Sequence, residues 1–235
     1  GAAAAHPRKR CPGRSPTPWS GPDPAQNLNN APKPRLPEVS RSLRYRRKVV
    51  RLITSSGINE NATPENFWYD VDRGIDPSTV RSLLRCEWIT SAKRNLLFTG
   101  ATGIGKTWIP HTLGHAAARL ELKVAYYRVG DLLESLELSR HDGMRIEKMN
   151  KVRSMDLLIL DDLGLNSLTH NAVVDLLTIL DDRVGRRSTI VSAQMPVDNW
   201  HEYLGGGAVA DAIMDRLIHT SDRHDLKGKS LRSEA

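Results

Sequence analysis

Residues 95–107 read Asn-Leu-Leu-Phe-Thr-Gly-Ala-Thr-Gly-Ile-Gly-Lys-Thr, and Gly100 to Thr107 complete the spacing GxxxxGK[ST]. Each required position has a physical task. Gly100, Gly103 and Gly105 let the backbone turn where a Cβ would obstruct it, so that successive N–H groups of Gly100, Ala101, Thr102, Gly103, Ile104, Gly105, Lys106 and Thr107 can face phosphate oxygens. Lys106 brings a positive charge to the β/γ-phosphates, and Thr107 offers a hydroxyl to Mg²⁺. The flanks fit as well. Asn95 to Thr99 is a short apolar run expected as a buried strand, and Lys106 to Leu120 is expected as a helix whose N-terminus faces the anion. Strand, loop and helix together predict an α/β nucleotide-binding fold.

A second stretch supplies what such a site lacks. Asp156-Leu157-Leu158-Ile159-Leu160-Asp161-Asp162 is an unbroken apolar run closed by two acids, the pattern of a strand buried on both faces of a parallel sheet. Ligands in open α/β sheets bind at the carboxyl ends of strands. Asp161 is therefore expected to hold Mg²⁺, directly or through water, and Asp162 to polarise an attacking water. The plainer alternative is that both acids are turn residues ending a strand.

The chain has 235 residues and a net charge of +7. Residues 1–60 hold 12 Lys/Arg against Asp23, Glu38 and Glu60, whereas residues 61–235 hold 22 against 24 acids. The basicity thus belongs to the N-terminal segment and points to an anionic partner, with nucleic acid as the first candidate and a solvated tail as the alternative. Cys11 and Cys86 are the only cysteines, far apart, so neither a disulfide framework nor a zinc spacing is present; this fits a reducing, cytoplasmic setting. No apolar stretch reaches the roughly 20 residues that span a bilayer, and no membrane partner is expected.

Residues 1–40 contain nine of the 13 prolines. They cannot bury enough apolar surface to offset their ordering entropy and are expected to be disordered. Residues 41–94 read as a basic helix up to Thr54, stopped at Ser55-Ser56-Gly57, and a linker; residues 95–235 read as the ATPase core. Asp76-Pro77-Ser78 is a helix start, with Val80, Leu83, Leu84 and Trp88 as its apolar face. Beyond the phosphate loop, strands are expected at 123–128, 156–160 and 188–192. Helices are expected at 131–139, 145–155, 169–184, 198–203 and 208–220. Such alternation implies a parallel sheet between helical layers.

Other residues divide between chemistry and packing. Gln194 follows the strand at 188–192 and can touch a γ-phosphate or position water, or be a plain turn before Pro196. Arg216 lies on an amphipathic helix; residue physics alone favours a surface salt bridge over an arginine finger reaching a neighbour's nucleotide. His111 and His115 share a helix face, but Thr112 stands where a zinc protease needs Glu, so metal binding is not expected there. Trp68, Tyr69, Trp88, Tyr126 and Tyr127 read as packing residues. Arg140, Arg145, Lys148, Lys151 and Arg153 form a basic cluster, either a solvated face or a phosphate contact.

Taken together, these motifs resemble the IstB/DnaC-like branch of the AAA+ ATPases, specifically the IstB-type helpers of insertion sequences. The similarity runs over residues 59–235: GATGIGKTW at the loop, LLILDDLG at 157–164, RRSTIVSAQMPVDNWHEY at 186–203, ADAIMDRLIH at 210–219 and LKGKSLR at 226–232. Residues 59–76 resemble the linker before the family's core. The resemblance implies an AAA+ P-loop fold with strand order 5-1-4-3-2, binding and hydrolysis of ATP with Mg²⁺, homo-oligomeric assembly on double-stranded DNA and delivery of that DNA to a cognate transposase. It places Lys106 and Thr107 on phosphate and Mg²⁺, Asp161 on Mg²⁺, Asp162 where many relatives carry a Glu base, Gln194 near the sensor position and Arg216 at the finger position. Arg232 is implied as a second nucleotide sensor.

Two departures stand out. Pro110 lies early in the loop's helix, where relatives usually carry a helix former. Residues 1–40 do not resemble the family's N-terminal helical domain, which suggests a truncated or frame-shifted gene end. A DnaC-type helicase loader, a small-molecule P-loop kinase and a degenerate nucleotide-binding remnant are the alternative functions.

Overall fold

The computed structural model describes residues 36–228, with side chains from residue 40. Of the segment 1–40 expected to be disordered, residues 1–35 lie outside that range, as does Arg232, while residues 36–40 are helical. Backbone contacts divide the chain into Gly1–Ser42 and Leu43–Ala235, and the second unit holds every described strand. Helix α1 runs Leu36–Ser56, so the boundary expected at residue 40 falls inside a helix. Pro37 is no obstacle there: in a first turn its missing N–H has no helical partner to lose.

The inward face of α1 carries buried Val49, Ile53 and Ser56, spaced to recur on one side of a 3.6-residue repeat. Tyr45 Oη donates to the Arg119 carbonyl at 2.7 Å and Lys48 pairs with Glu121 at 2.5 Å. The helix stops where expected: Ser56 Oγ donates to the Ile53 carbonyl and accepts the Ile58 N–H, while Gly57 takes φ +78°.

Helix α2 (Pro77–Leu83) has Asp76 as its N-cap, accepting the Ser78 N–H at 2.6 Å. It is shorter than its apolar pattern suggested. Cys86 turns into the left-handed region, and Trp88 belongs to a separate helix α3 (Glu87–Thr90), its indole N–H returning to the Leu83 carbonyl at 2.9 Å.

Five parallel strands follow: β1 (Asn95–Gly100), β2 (Val124–Arg128), β3 (Leu157–Leu163), β4 (Ser188–Ala193) and β5 (Ser221–Leu226), in the order β2-β3-β4-β1-β5. This is the expected order read from the other edge. Between them run α4 (Trp108–Arg119), α5 (Val129–Leu138), α6 (Arg145–Arg153), α7 (His170–Asp181), α8 (Trp200–Tyr203) and α9 (Gly207–Ile218). The strand period of two sorts the core into two layers. Leu97, Leu158, Leu160 and Val191 face the α5, α7 and α9 side, with Leu132, Leu176 and Ile213. Leu96, Phe98, Leu157, Ile159 and Ile190 face α4 and the α1–α3 segment, with Ile109, Leu113 and Val49.

Two strand expectations need correction. Apolar patterning predicts four strands and no strand at β5, Ser-Asp-Arg-His-Asp-Leu, which lacks an apolar run. As an edge strand beside β1 it buries chiefly Leu226 and keeps charges outward, which blunts further pairing. The strand expected to end before Asp161 continues to Leu163. Leu160 pairs with Val191 and Leu163 with Ala193, so β3 carries one extra residue in a bulge at Asp161-Asp162.

The basic cluster at 140–153 is largely used internally. Arg140 and Arg145 both pair with the fully buried carboxylate of Asp175, and Arg153 pairs with Asp182. Lys148 reaches Ser135; Lys151 is exposed. Arg183, unnoticed in the sequence, is 1% exposed and stitches α6 to β4. Its guanidinium donates to the carbonyls of Met155 (2.7 Å) and Ser188 and to Thr189 Oγ1 (2.9 Å). Burial, then the nearby Arg187, brings its pKa down to about 9.

Candidate functional site

The loop between β1 and α4 takes the shape its glycines allow. Gly103 and Gly105 have φ of +87° and +95°. Gly100 has φ +140°, and a Cβ there would lie 2.3 Å from the Leu226 carbonyl oxygen, so close pairing with β5 excludes any side chain. The helix begins at Trp108 with Thr107 as N-cap; the Thr107 side chain makes no capping bond, and Thr107 lines the cleft in front of the helix. Pro110 sits in the first turn. The His111 N–H still reaches the Thr107 carbonyl at 3.3 Å, so the proline costs little here.

That cleft, of about 290 Å³, is lined by Thr102, Gly103, Gly105, Lys106, Thr107, Asp161, Asp162 and Gln194, with Asn59, Trp108, His111 and Arg128. The tips of β1, β3 and β4 deliver the loop, the two acids and Gln194 to one place, as a parallel sheet does at its carboxyl edge. Lys106 is 7% exposed and its Nζ donates to the Ala101 carbonyl. Thr102 Oγ1 donates to Gln194 Oε1 at 2.9 Å, which ties the loop to the end of β4.

The bulge gives the two acids different surroundings. Asp161 is 1% exposed and its two oxygens accept from different strands: Oδ2 from Tyr126 Oη at 3.0 Å, Oδ1 from Ser192 Oγ. Asp162 takes φ +59°, a conformation Asp tolerates better than most residues. Its carboxylate is partly exposed, 3.8 Å from the Arg128 guanidinium. An oxygen-only donor set of Thr107 and Asp161 suits Mg²⁺, which retains waters and phosphate ligands rather than a full protein cage. Each carboxylate oxygen of Asp161 keeps acceptor capacity beyond its one hydroxyl bond. Among the described residues no group of three or more His, Cys, Asp or Glu side chains is placed to hold a metal ion by itself.

Several neighbours were passed over in the sequence. Tyr126, expected as a packing residue, holds Asp161 through its hydroxyl; burial, then the Asp161 charge, pushes its pKa up. The His111 ring lies against Tyr126 at 4.3 Å between centroids, tilted by 36°, and its Nδ1 accepts the Asn59 N–H at 3.1 Å. The neutral ring therefore carries its proton on Nε2. Burial lowers the His111 pKa and Asp161 opposes that shift. No sequence signal marks these residues, because the β2–β3 register that sets Arg128 beside Asp161 is a tertiary fact.

A second cavity of about 450 Å³ shares Gly103, Gly105 and Trp108 with the first. It is lined by Asn61, Asn66, Trp68, Arg73, Gly103, Gly105 and Trp108. Trp68 is 62% exposed rather than packed in the core. Arg73 is buried, lies 4.6 Å over the Phe67 ring and donates to the Trp68 carbonyl at 2.9 Å.

Arg216 does not line the cleft. It projects from α9, where Nε and Nη2 bind Asp181 Oδ1 at 2.7 and 2.6 Å and Nη1 donates to the Ala212 carbonyl. No helix among the described residues is long and apolar enough to cross a membrane.

A five-stranded parallel sheet with this loop and acid pair defines a P-loop nucleotide-binding protein of the AAA+ type. Residues 36–235 match the model of the IstB-like ATP binding proteins, and the chain belongs to that family. It is 44% identical over 191 residues to the insertion sequence ATP-binding protein y4pL of Sinorhizobium fredii, covering 81% of this chain and 78% of that one. Among solved structures, a replication initiator DnaA bound to AMPPCP and single-stranded DNA superposes with a TM-score of 0.62 at 19% identity. That match covers 74% of this chain and 52% of the initiator, so the chain spans about half of that protein's length. The DnaC helicase loader matches with a TM-score of 0.59 at 16% identity, over 72% of this chain and 98% of the loader. At these identities the likeness is one of fold.

Proposed function

We propose that this protein is an ATP-hydrolysing helper of DNA transposition that assembles on double-stranded DNA and delivers it to a cognate transposase. One observation carries the nucleotide part: Lys106, Thr107, Asp161, Asp162 and Gln194, drawn from three strand ends, line one cleft at a helix N-terminus. Membership of the IstB-like family supports the helper part. In this reading the loop N–H groups and Lys106 hold the β/γ-phosphates. Trp68, Trp108 and the Asn61–Arg73 segment receive the base and ribose in the adjoining cavity. Mg²⁺ bound with the nucleotide would neutralise developing phosphate charge, held by Thr107 and Asp161. Asp162 orients a water towards the γ-phosphate, Gln194 fixes the angle of approach, and Arg216 of a neighbouring copy stabilises charge on the transferred group.

Tyr126 and Ser192 position Asp161 rather than touch the nucleotide. Tyr126→Phe removes one hydroxyl and is expected to raise the Mg²⁺ concentration for half-maximal turnover about 10-fold, the size of second-layer effects on metal ligands, with ATP affinity held. A Mg²⁺ titration of turnover checks this; an unchanged midpoint would leave Tyr126 as a packing residue.

A DnaC-type loader reading shares the cleft and differs in partner; the fold likeness over nearly all of DnaC favours keeping it as the second reading. ATP turnover measured with and without duplex DNA tests the first. DNA-stimulated turnover supports it, whereas ATP binding with no turnover under any DNA condition supports a nucleotide-binding remnant instead.

A further inference from the structure

We infer that the outward face of α1 is a nucleic-acid backbone surface, engaged through Arg46, Arg47 and Arg51. The inference rests on the DNA reading above and names a surface for it that is separate from the nucleotide cleft. The inward side of α1 is committed: Val49, Ile53 and Ser56 are buried, Tyr45 Oη is bonded to Arg119 and Lys48 to Glu121. Three arginines away from that side are not: Arg47 and Arg51 lie on the opposite side, and Arg46 lies on the flank. Arg46, Arg47, Val50, Arg51, Thr54 and Ser55 surround a shallow concavity along the helix. The three arginines are exposed, and no ion pair or hydrogen bond to another described residue engages them.

Five arginines elsewhere are committed within the chain, whereas exposed Arg186 and Arg223, like Arg46, Arg47 and Arg51, are not. Arg140, Arg145, Arg153, Arg183 and Arg216 are each held by an acid or a carbonyl of the same chain. Arginine on a folded surface that lacks such partners, clustered along one helix, is the electrostatic footprint of a polyanion site. The nearby acids are taken: Glu121 by Lys48, and Glu60 by the Thr54 hydroxyl at 3.3 Å. Arg47 and Arg51 lie four residues apart, about 6 Å along the axis, so their forked donors address successive anionic groups rather than one. A membrane surface fits less well, because among residues 43–55 the exposed aliphatics are Leu43 and Val50 alone, with no Trp or Phe beside them.

The test is duplex binding by fluorescence anisotropy across a salt series, with Mg²⁺ and a non-hydrolysable ATP analogue. It compares the full chain with the triple variant Arg46→Gln, Arg47→Gln, Arg51→Gln and with the corresponding triple Lys variant. Each phosphate contact contributes about 0.9 to the log–log salt slope on duplex DNA, so the Gln variant is expected to lose roughly 2–3 of that slope. Its low-salt affinity should fall at least about tenfold, while binding of the ATP analogue stays unchanged and the Lys variant keeps most of the slope. If the unsubstituted chain binds duplex and the Gln variant binds with the same slope, this surface is overturned and the DNA reading stands. If the unsubstituted chain binds no nucleic acid at all, the DNA reading fails and takes this inference with it. Binding to anionic vesicles that the Gln variant loses, with duplex binding intact, would reassign the face to lipid and overturn the inference.

Discussion

Arg216→Ala is expected to lower ATP turnover of the assembled protein by about 10³-fold or more, the range for an arginine finger, with ATP affinity little changed. The reason is its position. Arg216 leaves α9 away from its own cleft and rests on Asp181. With the Asp181 carboxylate more than half exposed, that pair is worth about 0–1 kcal/mol, a small barrier to exchanging Asp181 for a neighbour's phosphate. Two outcomes separate a role in a neighbour's cleft from a local structural one. Mixing the Arg216→Ala chain with a Lys106→Ala chain should restore part of the activity that neither has alone, because the second supplies Arg216 to the intact cleft of the first. Turnover should also rise faster than linearly with protein concentration. If Arg216→Ala matches the parent chain at every concentration, Arg216 is a salt-bridge residue and nothing more.

Lys106→Ala is the second large effect. Preorganised charges aimed at a transferring phosphoryl group each contribute about 10²–10³ in rate, and Lys106 is the loop's only side-chain cation. Its substitution should reduce turnover by at least that factor and weaken ATP binding measured by titration of a fluorescent analogue. Stability should fall by about 1 kcal/mol or more, since the substitution removes at least the hydrogen bond to the Ala101 carbonyl. Retained turnover with Ala at this position would remove the cleft from consideration as the hydrolytic site. A large drop in melting temperature would show that the lysine is needed for folding, and the charge-retaining Lys106→Arg would then isolate its chemistry.

Much of this architecture is legible in the sequence. The glycines of the loop, the acid-terminated apolar run, the Asp76-Pro77 cap and the strand–helix alternation are local signals, and local signals survive in one dimension. Asn95–Gly100 and Ser188–Ala193 emerge within a residue of expectation. β5 does not, because an edge strand is defined by the neighbour it pairs with rather than by its own hydrophobicity. α2 and α3 merge in the sequence pattern because the left-handed turn at Cys86 is not a residue preference of cysteine. The fates of the arginines are equally invisible: only contacts between distant segments distinguish Arg145, locked on buried Asp175, from Arg47, which faces outward.

Spacing alone determined that the chain has a phosphate loop, an acid pair and a parallel sheet to join them, since GxxxxGK[ST] and a buried run ending in carboxylates each carry their geometry in a few consecutive residues. The tertiary structure decided what those residues face. It put one extra residue into β3, so that Asp161 turns inward to Tyr126 and Ser192 while Asp162 turns to Arg128. It brought Asn59 and His111 to the same cleft and set Arg216 outside it. Those relations depend on strand register and helix packing, which arise only when segments far apart in the chain bury their apolar faces together.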